Sequence, residues 1–467
     1  MSPWQRKWLG LCALLGMLTW AVVTAHSSPL SDWDSARASL PGAAHADTFT
    51  FLPFITRADG APVVDTRRPW RDTTTGIHVF NDQLASALSD AQWQFAATHY
   101  VGTQKMTRAN ADRLRALNPN FLILHYRLGH GLGYRAITGG CSPTGDYLRI
   151  IEGNSWVQEW NPAAQENWFA HYPEASTTRV LQCDWGWYLM ELNDAGWRAY
   201  WHAEVLRQLQ ANDDDGVFMD SLSVPNYLGG GSYDPALPAL DNTFENAWAA
   251  RINAWLTWLQ TQPVGDYYLV PNVGSWITTR DPTNYTPVDG VMLEGFALAG
   301  DASPYDVGDW QLQVNRALGL IAQGKAVIGQ SYALGAQERM FALGTYLLIK
   351  GNRTYLNLEL DLDPEWWPEY DIPIGAATQS AGTNIANLYD ATNRVYRRTF
   401  SNGLVLVNPT TDETRTVNLG GTYYRAATSG GGAVPASGVP TGTVTYSAVT
   451  SVTLPPYTAV VLFNTHP

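Results

Sequence analysis

Asp215-Gly216-Val217-Phe218-Met219-Asp220 and Asp289-Gly290-Val291-Met292-Leu293-Glu294 are one pattern written twice: an Asp-Gly turn, three apolar residues, then an acid. A short apolar run opened by a turn residue reads as a buried strand. Period-2 alternation puts Gly216, Phe218 and Asp220 on one face of the first, and Gly290, Met292 and Glu294 on the corresponding face of the second. Six further runs of this kind surround them: Gly76–Phe80, His99–Gly102, Phe121–Tyr126, Tyr267–Asn272, Ala326–Gln330 and Arg353–Leu358. Amphipathic segments separate most of them, at 84–97, 107–117, 195–209, 244–259, 311–323 and 337–350, while the link between the fifth and sixth runs is only weakly helical. Eight strands alternating with helices predict an α/β fold, a (β/α)8 TIM barrel, over residues 73–384. The stretch from Gly129 to Asn193 exceeds any strand-to-helix loop, so 129–193 is expected as an insertion at the catalytic mouth. There Trp156, Trp160, Trp168, Trp185 and Trp187 would wall a cleft. From about Tyr389 the texture changes to short Val-, Thr- and Tyr-rich runs divided by Gly, Pro and Asn, which predicts a C-terminal antiparallel β-sandwich over 385–467. Residues 26–72 read as linker and lead-in.

In such a barrel the reacting groups sit at the C-terminal ends of the strands. The fourth and sixth runs end in Asp220 and Glu294, alternate strands feed one interior layer, and neighbouring strands lie ~4.8 Å apart. Two inward carboxylates would therefore converge to roughly 5–9 Å. That interval covers both geometries of glycosidic cleavage, in which one acid protonates the leaving oxygen and one carboxylate attacks the anomeric carbon or activates water. The alternative for Asp220, which precedes Ser221, is a turn cap; recurrence of the pattern favours chemistry. The other polar tips are Asp82, His125, Arg127, Asn272 and Gln330. His125 and Arg127 share a strand face, so they are expected either to bind substrate hydroxyls together or to be satisfied structural groups. Asp213-Asp214-Asp215 reads as a solvated turn, and Ala211 and Leu222 stand where an EF-hand would need ligands, so no metal is expected. The run Asp361–Trp367 reads either as cleft lining or as an ordinary loop.

Composition narrows the ligand class. Charged residues make up 15% of the 467 and hydrophobic ones 45%, with 20 Trp and 23 Tyr, which is the make-up of a folded chain. The net charge of -13 argues against nucleic acid or an anionic membrane surface, whereas tryptophan faces suit the C–H faces of sugars. Arg6 and Lys7 precede the uncharged run Trp8–Val23, and Val23-Thr24-Ala25 supplies the small residues of a cleavage site, so 1–25 is expected to be a secretory signal peptide rather than a membrane anchor. Cys141 and Cys183 would then be the two remaining cysteines of an exported chain, most simply a disulfide, with two buried thiols as the alternative. Closing that loop would contribute about 4 kcal/mol in the chain-entropy model.

The string Ile77-His78-Val79-Phe80-Asn81-Asp82-Gln83-Leu84, the two acid-tipped hexapeptides and Arg353-Thr354-Tyr355-Leu356-Asn357-Leu358, taken in that order, resemble the hypothetical glycosyl hydrolase-like families of bacterial origin, above all the group numbered 15. The resemblance runs from about Gly76 into the C-terminal β domain, which is similar to the β-sandwich appended to many α-glycan-acting barrels. In barrels that resemble this one, such as dextranases, the fourth-strand Asp is the nucleophile and the sixth-strand Glu the acid/base. The resemblance implies those roles for Asp220 and Glu294. The tryptophan-rich insertion with its cysteine pair departs from the pattern. The expectation is a secreted glycoside hydrolase acting on a polysaccharide or oligosaccharide; the resemblance implies a retaining, α-linked reaction, while the residues by themselves leave the sugar, the anomer and the configuration of the product open. Asp82, His125, Arg127, Asn272, Trp185 and Trp187 would bind substrate. No cofactor, no nucleic-acid partner and no membrane attachment after signal cleavage are expected, and nothing in the sequence specifies an oligomeric state. The alternative is an inactive carbohydrate-binding or cell-surface protein on a barrel scaffold.

Overall fold

All eight runs form parallel strands, and each begins or ends within a few residues of the turn signals that bound it. In the computed structural model they are β1 Val79–Phe80, β2 Tyr100–Gln104, β3 Leu122–Leu128, β4 Gly216–Asp220, β5 Tyr268–Pro271, β6 Gly290–Glu294, β7 Ala326–Gln330 and β8 Thr354–Asn357. The structure describes residues 67–467 except 86, 134–146, 153–154, 161–164, 227–231, 240, 263–266 and 359–360, and the side chains of 147–152 and 155–160. Strand order is β5-β4-β3-β2-β1-β8-β7-β6, and a parallel bridge from Asn272 to Met292 joins the two ends into a closed barrel. Helices α1 Asp90–His99, α2 Arg108–Leu117, α3 Ala195–Asn212, α4 Asn242–Gln260, α5 Val307–Ile321 and α6 Ala336–Ile349 surround it. Ser89, Asp194, Asp241 and Asp306 start α1, α3, α4 and α5 by accepting first-turn N–H groups. Residues 272–289 and the segment after β8 carry no α-helix, so eight strands are served by six described helices.

The two Asp-Gly turns do more than reverse the chain. Asp215 is almost wholly buried; its Oδ2 accepts the Ile123 N–H at 2.8 Å and the Arg115 guanidinium at 3.1 Å, and its Oδ1 accepts the Arg68 guanidinium at 3.0 Å. Asp289 Oδ2 accepts the Leu269 N–H at 2.9 Å in the same way. Each carboxylate therefore pins the start of a neighbouring strand and sets its register. The expected solvated turn holds only for Asp213, which is 51% exposed at the left-handed end of α3; Asp214 is buried against His125. Gly216 and Gly290 admit the close strand approach at this narrow end, where a Cβ would lie 2.5 Å from the Tyr268 carbonyl and 2.7 Å from the Ala326 Cβ.

Inside the barrel, Phe80, Val101, Leu122, Leu124, Phe218, Val270, Met292, Ile328 and Tyr355 form one apolar core. Trp70 closes it from below, with ring centroids 5.2 Å from Tyr268, 5.4 Å from Tyr355 and 6.1 Å from Phe80. Hydrogen bonds from Tyr355 Oη to the Arg71 carbonyl and from the Thr73 N–H to the Asn352 carbonyl hold the segment there. Residues 67–72, read from sequence as the end of a lead-in, are thus the plug of the barrel.

The insertion leaves β3 and supplies Gly131–Gly133, Leu181–Gln182 and Trp187–Leu189 to a separate antiparallel sheet, completed by Tyr233–Asp234 from the segment between β4 and α4, beside a hairpin of Tyr147–Glu152 and Ser155–Trp160. Trp168 is buried against Trp197 and Tyr200 of α3, and Trp187 is buried beside Gly131. Those two indoles are core, not cleft wall. Trp185 is 45% exposed. The side chains of Trp156 and Trp160, and Cys141, lie outside the described residues.

The C-terminal domain is a six-stranded antiparallel sheet: β9 Tyr389–Asp390, β10 Val395–Thr399, β11 Gly403–Asn408, β12 Arg415–Ser429, β13 Thr443–Leu454 and β14 Thr458–Phe463, in the order β9-β10-β11-β14-β12-β13. Val405, Val407, Ala459, Val461 and Phe463 face the barrel side, where Gly344 of α6 meets Ala459 and Val407. Val395, Leu404, Leu406, Val417, Val452, Leu454, Val460 and Leu462 form a second buried layer. Arg398 donates to the carbonyls of Leu347, Leu348 and Lys350, the unsatisfied end of α6, at 2.8–3.0 Å. Of the acidic aromatic run, Trp366 packs on Phe95, Tyr100 and Tyr370, which makes that part structural.

Candidate active site

Strand β3 decides what faces the barrel mouth. Leu122 and Leu124 belong to the interior core, so alternation carries Tyr126 inward and sends Ile123, His125 and Arg127 outward. Tyr126 Oη donates to Asp220 Oδ2 at 2.6 Å. The other Asp220 oxygen accepts from Asn272 Nδ2 at 2.8 Å, and the same nitrogen donates to Glu294 Oε2 at 2.6 Å. Two contacts on one nitrogen keep the two carboxylate oxygens no farther apart than the sum of those distances, about 5.4 Å. Tyr332, just beyond β7, donates to Glu294 Oε1 and accepts from Gln330 Nε2 at 3.3 Å. Asp82, beyond β1, accepts from Gln104 on one oxygen and from Lys105 Nζ at 2.8 Å on the other.

The acids do not share one environment. Burial and the neighbouring Asp220 charge raise the Glu294 carboxyl above the ordinary range, against the hydrogen bonds from Tyr332 and Asn272. Burial and the nearby Asp220 likewise hold the Tyr126 phenol far above its ordinary value, and burial with Glu294 does the same for Tyr332. Both phenols keep their protons and serve as donors. Burial pulls the Lys105 ammonium down, but Asp82, Asp220 and Glu294 outweigh it, so its charge is held.

Of the residues singled out from sequence, the fold brings Asp220, Glu294, Asn272 and Asp82 together around one mouth. It does not bring His125 or Arg127. His125 is 2% exposed, with Nδ1 3.2 Å from Asp214 Oδ2 and Nε2 on Gln208 of α3; Arg127 is fully buried and donates to the same Gln208 at 3.3 Å. They tie β3 to α3, the satisfied structural alternative. Nothing places Trp185 or Trp187 in contact with the acids among the described residues. Sequence reading missed Tyr126, Tyr332, Gln104 and Lys105. Tyr126 could have been found by continuing the alternation of Leu122 and Leu124; Lys105 could not, because its direction depends on a left-handed backbone, φ 60°. Among the described residues no group of three or more His, Cys, Asp or Glu is arranged to hold a metal, and no helix is long and apolar enough to cross a membrane.

Eight parallel strands with paired carboxylates at the tips of the fourth and sixth, bridged by one amide, define a glycoside hydrolase barrel. Residues 115–404 match the model of hypothetical glycosyl hydrolase family 15, and the chain belongs to that family. No curated protein gives a significant match. Among solved structures the chain is similar to an Anoxybacillus alpha-amylase, at 10% identity over 85% of this chain and 98% of that one with a TM-score of 0.39. It is also similar to a maltogenic alpha-amylase from Thermotoga neapolitana, at 8% identity over 83% and 98% with a TM-score of 0.41.

Proposed function

We propose that the chain is a retaining glycosidase of α-linked polysaccharide or oligosaccharide, with Asp220 as nucleophile and Glu294 as general acid and then base. The observation that carries this is the Asn272 bridge. Acid pairs of retaining enzymes lie about 5–5.5 Å apart and inverting pairs about 6.5–9.5 Å apart to admit a water, and the bridged oxygens, within about 5.4 Å of each other, support the closer arrangement. Asp220, held by Tyr126 and Asn272, attacks the anomeric carbon while Glu294 gives its proton to the leaving oxygen. Glu294 then takes a proton from the water that releases the sugar. The α-linkage rests on the motif resemblance to dextranase-type barrels. Proton NMR of the first-formed product from an aryl α-glycoside, chosen after a reducing-end assay across a glycan panel, should show the substrate's own configuration. An inverted first product would reject the nucleophile assignment.

The rate should fall as pH rises through the lifted pKa of Glu294, because the first step needs its proton. Tyr332 donates to Glu294 and so favours the ionised form. Tyr332→Phe should therefore move the alkaline limb of kcat to higher pH. A limb that stays in place or moves down would remove Tyr332 from this role.

Export of the chain through residues 1–25 and a Cys141–Cys183 disulfide in the insertion belong to the same proposal. Cys141 lies outside the described residues. Titration of the denatured, unreduced mature protein should find close to no free thiol; two thiols would dismiss the bond.

A further inference from the structure

Lys105 has no part in the acid-pair mechanism, yet it stands in the same mouth. Gln104 pairs with Leu124 and faces the interior, so alternation would turn Lys105 outward to the helices. Its left-handed backbone, φ 60°, re-aims it instead, a conformation that bulky residues adopt only where the surroundings enforce it. Nζ lies 2.8 Å from Asp82 Oδ2 and 5.3 Å from the ring centroid of Tyr126, the residue that holds Asp220. Among the described residues the ammonium makes no hydrogen bond beyond Asp82, so two of its three donors are unused. Asp82 accepts one bond on each oxygen and keeps lone pairs on both. Both side chains retain some open surface, 13% and 19%.

Donor and acceptor atoms at hydrogen-bond separation match two vicinal hydroxyls of a pyranose, which are held at a similar separation from one another. Resting on the glycosidase reading, we infer that Asp82 and Lys105 are the specificity-determining pair for the glycone. Lys105 donates to one hydroxyl and Asp82 accepts from its neighbour, on a neutral sugar. Neutrality follows from the charges. Asp82 already compensates the single ammonium, and the Asp220 charge that lifts Glu294 stands in the same mouth, so the carboxylate of a uronic acid would add like charge to a buried acidic site.

The test uses wild type, Lys105→Met and Asp82→Asn on 4-nitrophenyl α-D-glucoside, galactoside, mannoside, xyloside and glucuronide, and on the monodeoxy analogues of the best neutral substrate. Each variant should lower kcat/KM on that parent by at least about 100-fold and lose its penalty on the one analogue lacking the hydroxyl it reads. The ratio of parent to deoxy rates is the decisive readout, because a reduced folded fraction does not change it. Wild-type kinetics in the variants, an equal loss on every deoxy analogue, or preference for the glucuronide would each overturn the inference. Calorimetry with iminosugars that carry the hydroxyl pattern of neutral pyranoses separates the two levels. A wild type that cleaves none of the glycosides yet binds an iminosugar in a manner abolished by Lys105→Met would reject the glycosidase reading and keep the pair. No such binding and no cleavage would reject both.

Discussion

Asp220→Asn should lower kcat by about 10⁴-fold or more, since the amide cannot attack the anomeric carbon and no other carboxylate is held at that position. Glu294→Gln should cost about 10²–10⁴-fold, the usual worth of a positioned general acid, and less on substrates whose leaving group needs no proton. Both variants keep the volume of the parent side chain, and the Asn272 amide can still meet an oxygen in each. Azide distinguishes the roles. With Glu294→Ala it should restore turnover of an activated substrate and give a glycosyl azide of retained configuration, because the covalent intermediate still forms. With Asp220→Ala the azide should attack directly and give the inverted product. Near wild-type turnover by either conservative variant on a verified substrate would dismiss that residue, and Asp82 would be the next acid to test.

Five residues upstream, in the same hexapeptide, Asp215→Ala should leave the chemistry alone and weaken the fold. It strips partners from Arg115, which is 7% exposed, from Arg68 and from the Ile123 N–H. Leaving a buried charge without any partner costs about 3–5 kcal/mol, and because Arg68 and Arg115 both keep an ion pair to Asp213, the loss should lie at or below the low end of that range. The midpoint of urea unfolding should drop accordingly. Asp213→Asn, at a half-exposed site, should shift it by no more than about 0.5 kcal/mol. Asp220→Asn should leave stability unchanged or raise it, because it relieves repulsion with Glu294 at a site built for reaction rather than rigidity. Equal destabilisation by Asp215→Ala and Asp220→Asn would contradict this division of labour between the two acids of the motif.

The eight strands and the two acid-bearing tips were legible because each depends on neighbours a few residues away: a turn residue, three or four apolar positions, an acid. Membership of the barrel class followed from repetition of that unit. The inner ring of the site was not legible to the same degree. Barrel strands are buried on both faces, so in β3, Leu122-Ile123-Leu124-His125-Tyr126-Arg127-Leu128, the polar pair His125 and Arg127 does not mark the face that looks into the mouth. Gln208 and Asp214, more than 80 positions away, satisfy His125 and Arg127 and so decide that Tyr126 looks inward. Lys105 faces the acids through one left-handed residue, and Trp70 becomes a plug only by meeting Tyr268 and Tyr355 across the chain. The sequence by itself determined which segments are strands and where their acids end, since those are local and periodic properties. Only the tertiary structure decided which polar groups are spent on packing and which are left facing the mouth, because a buried donor or acceptor takes whatever partner the closed barrel brings to it.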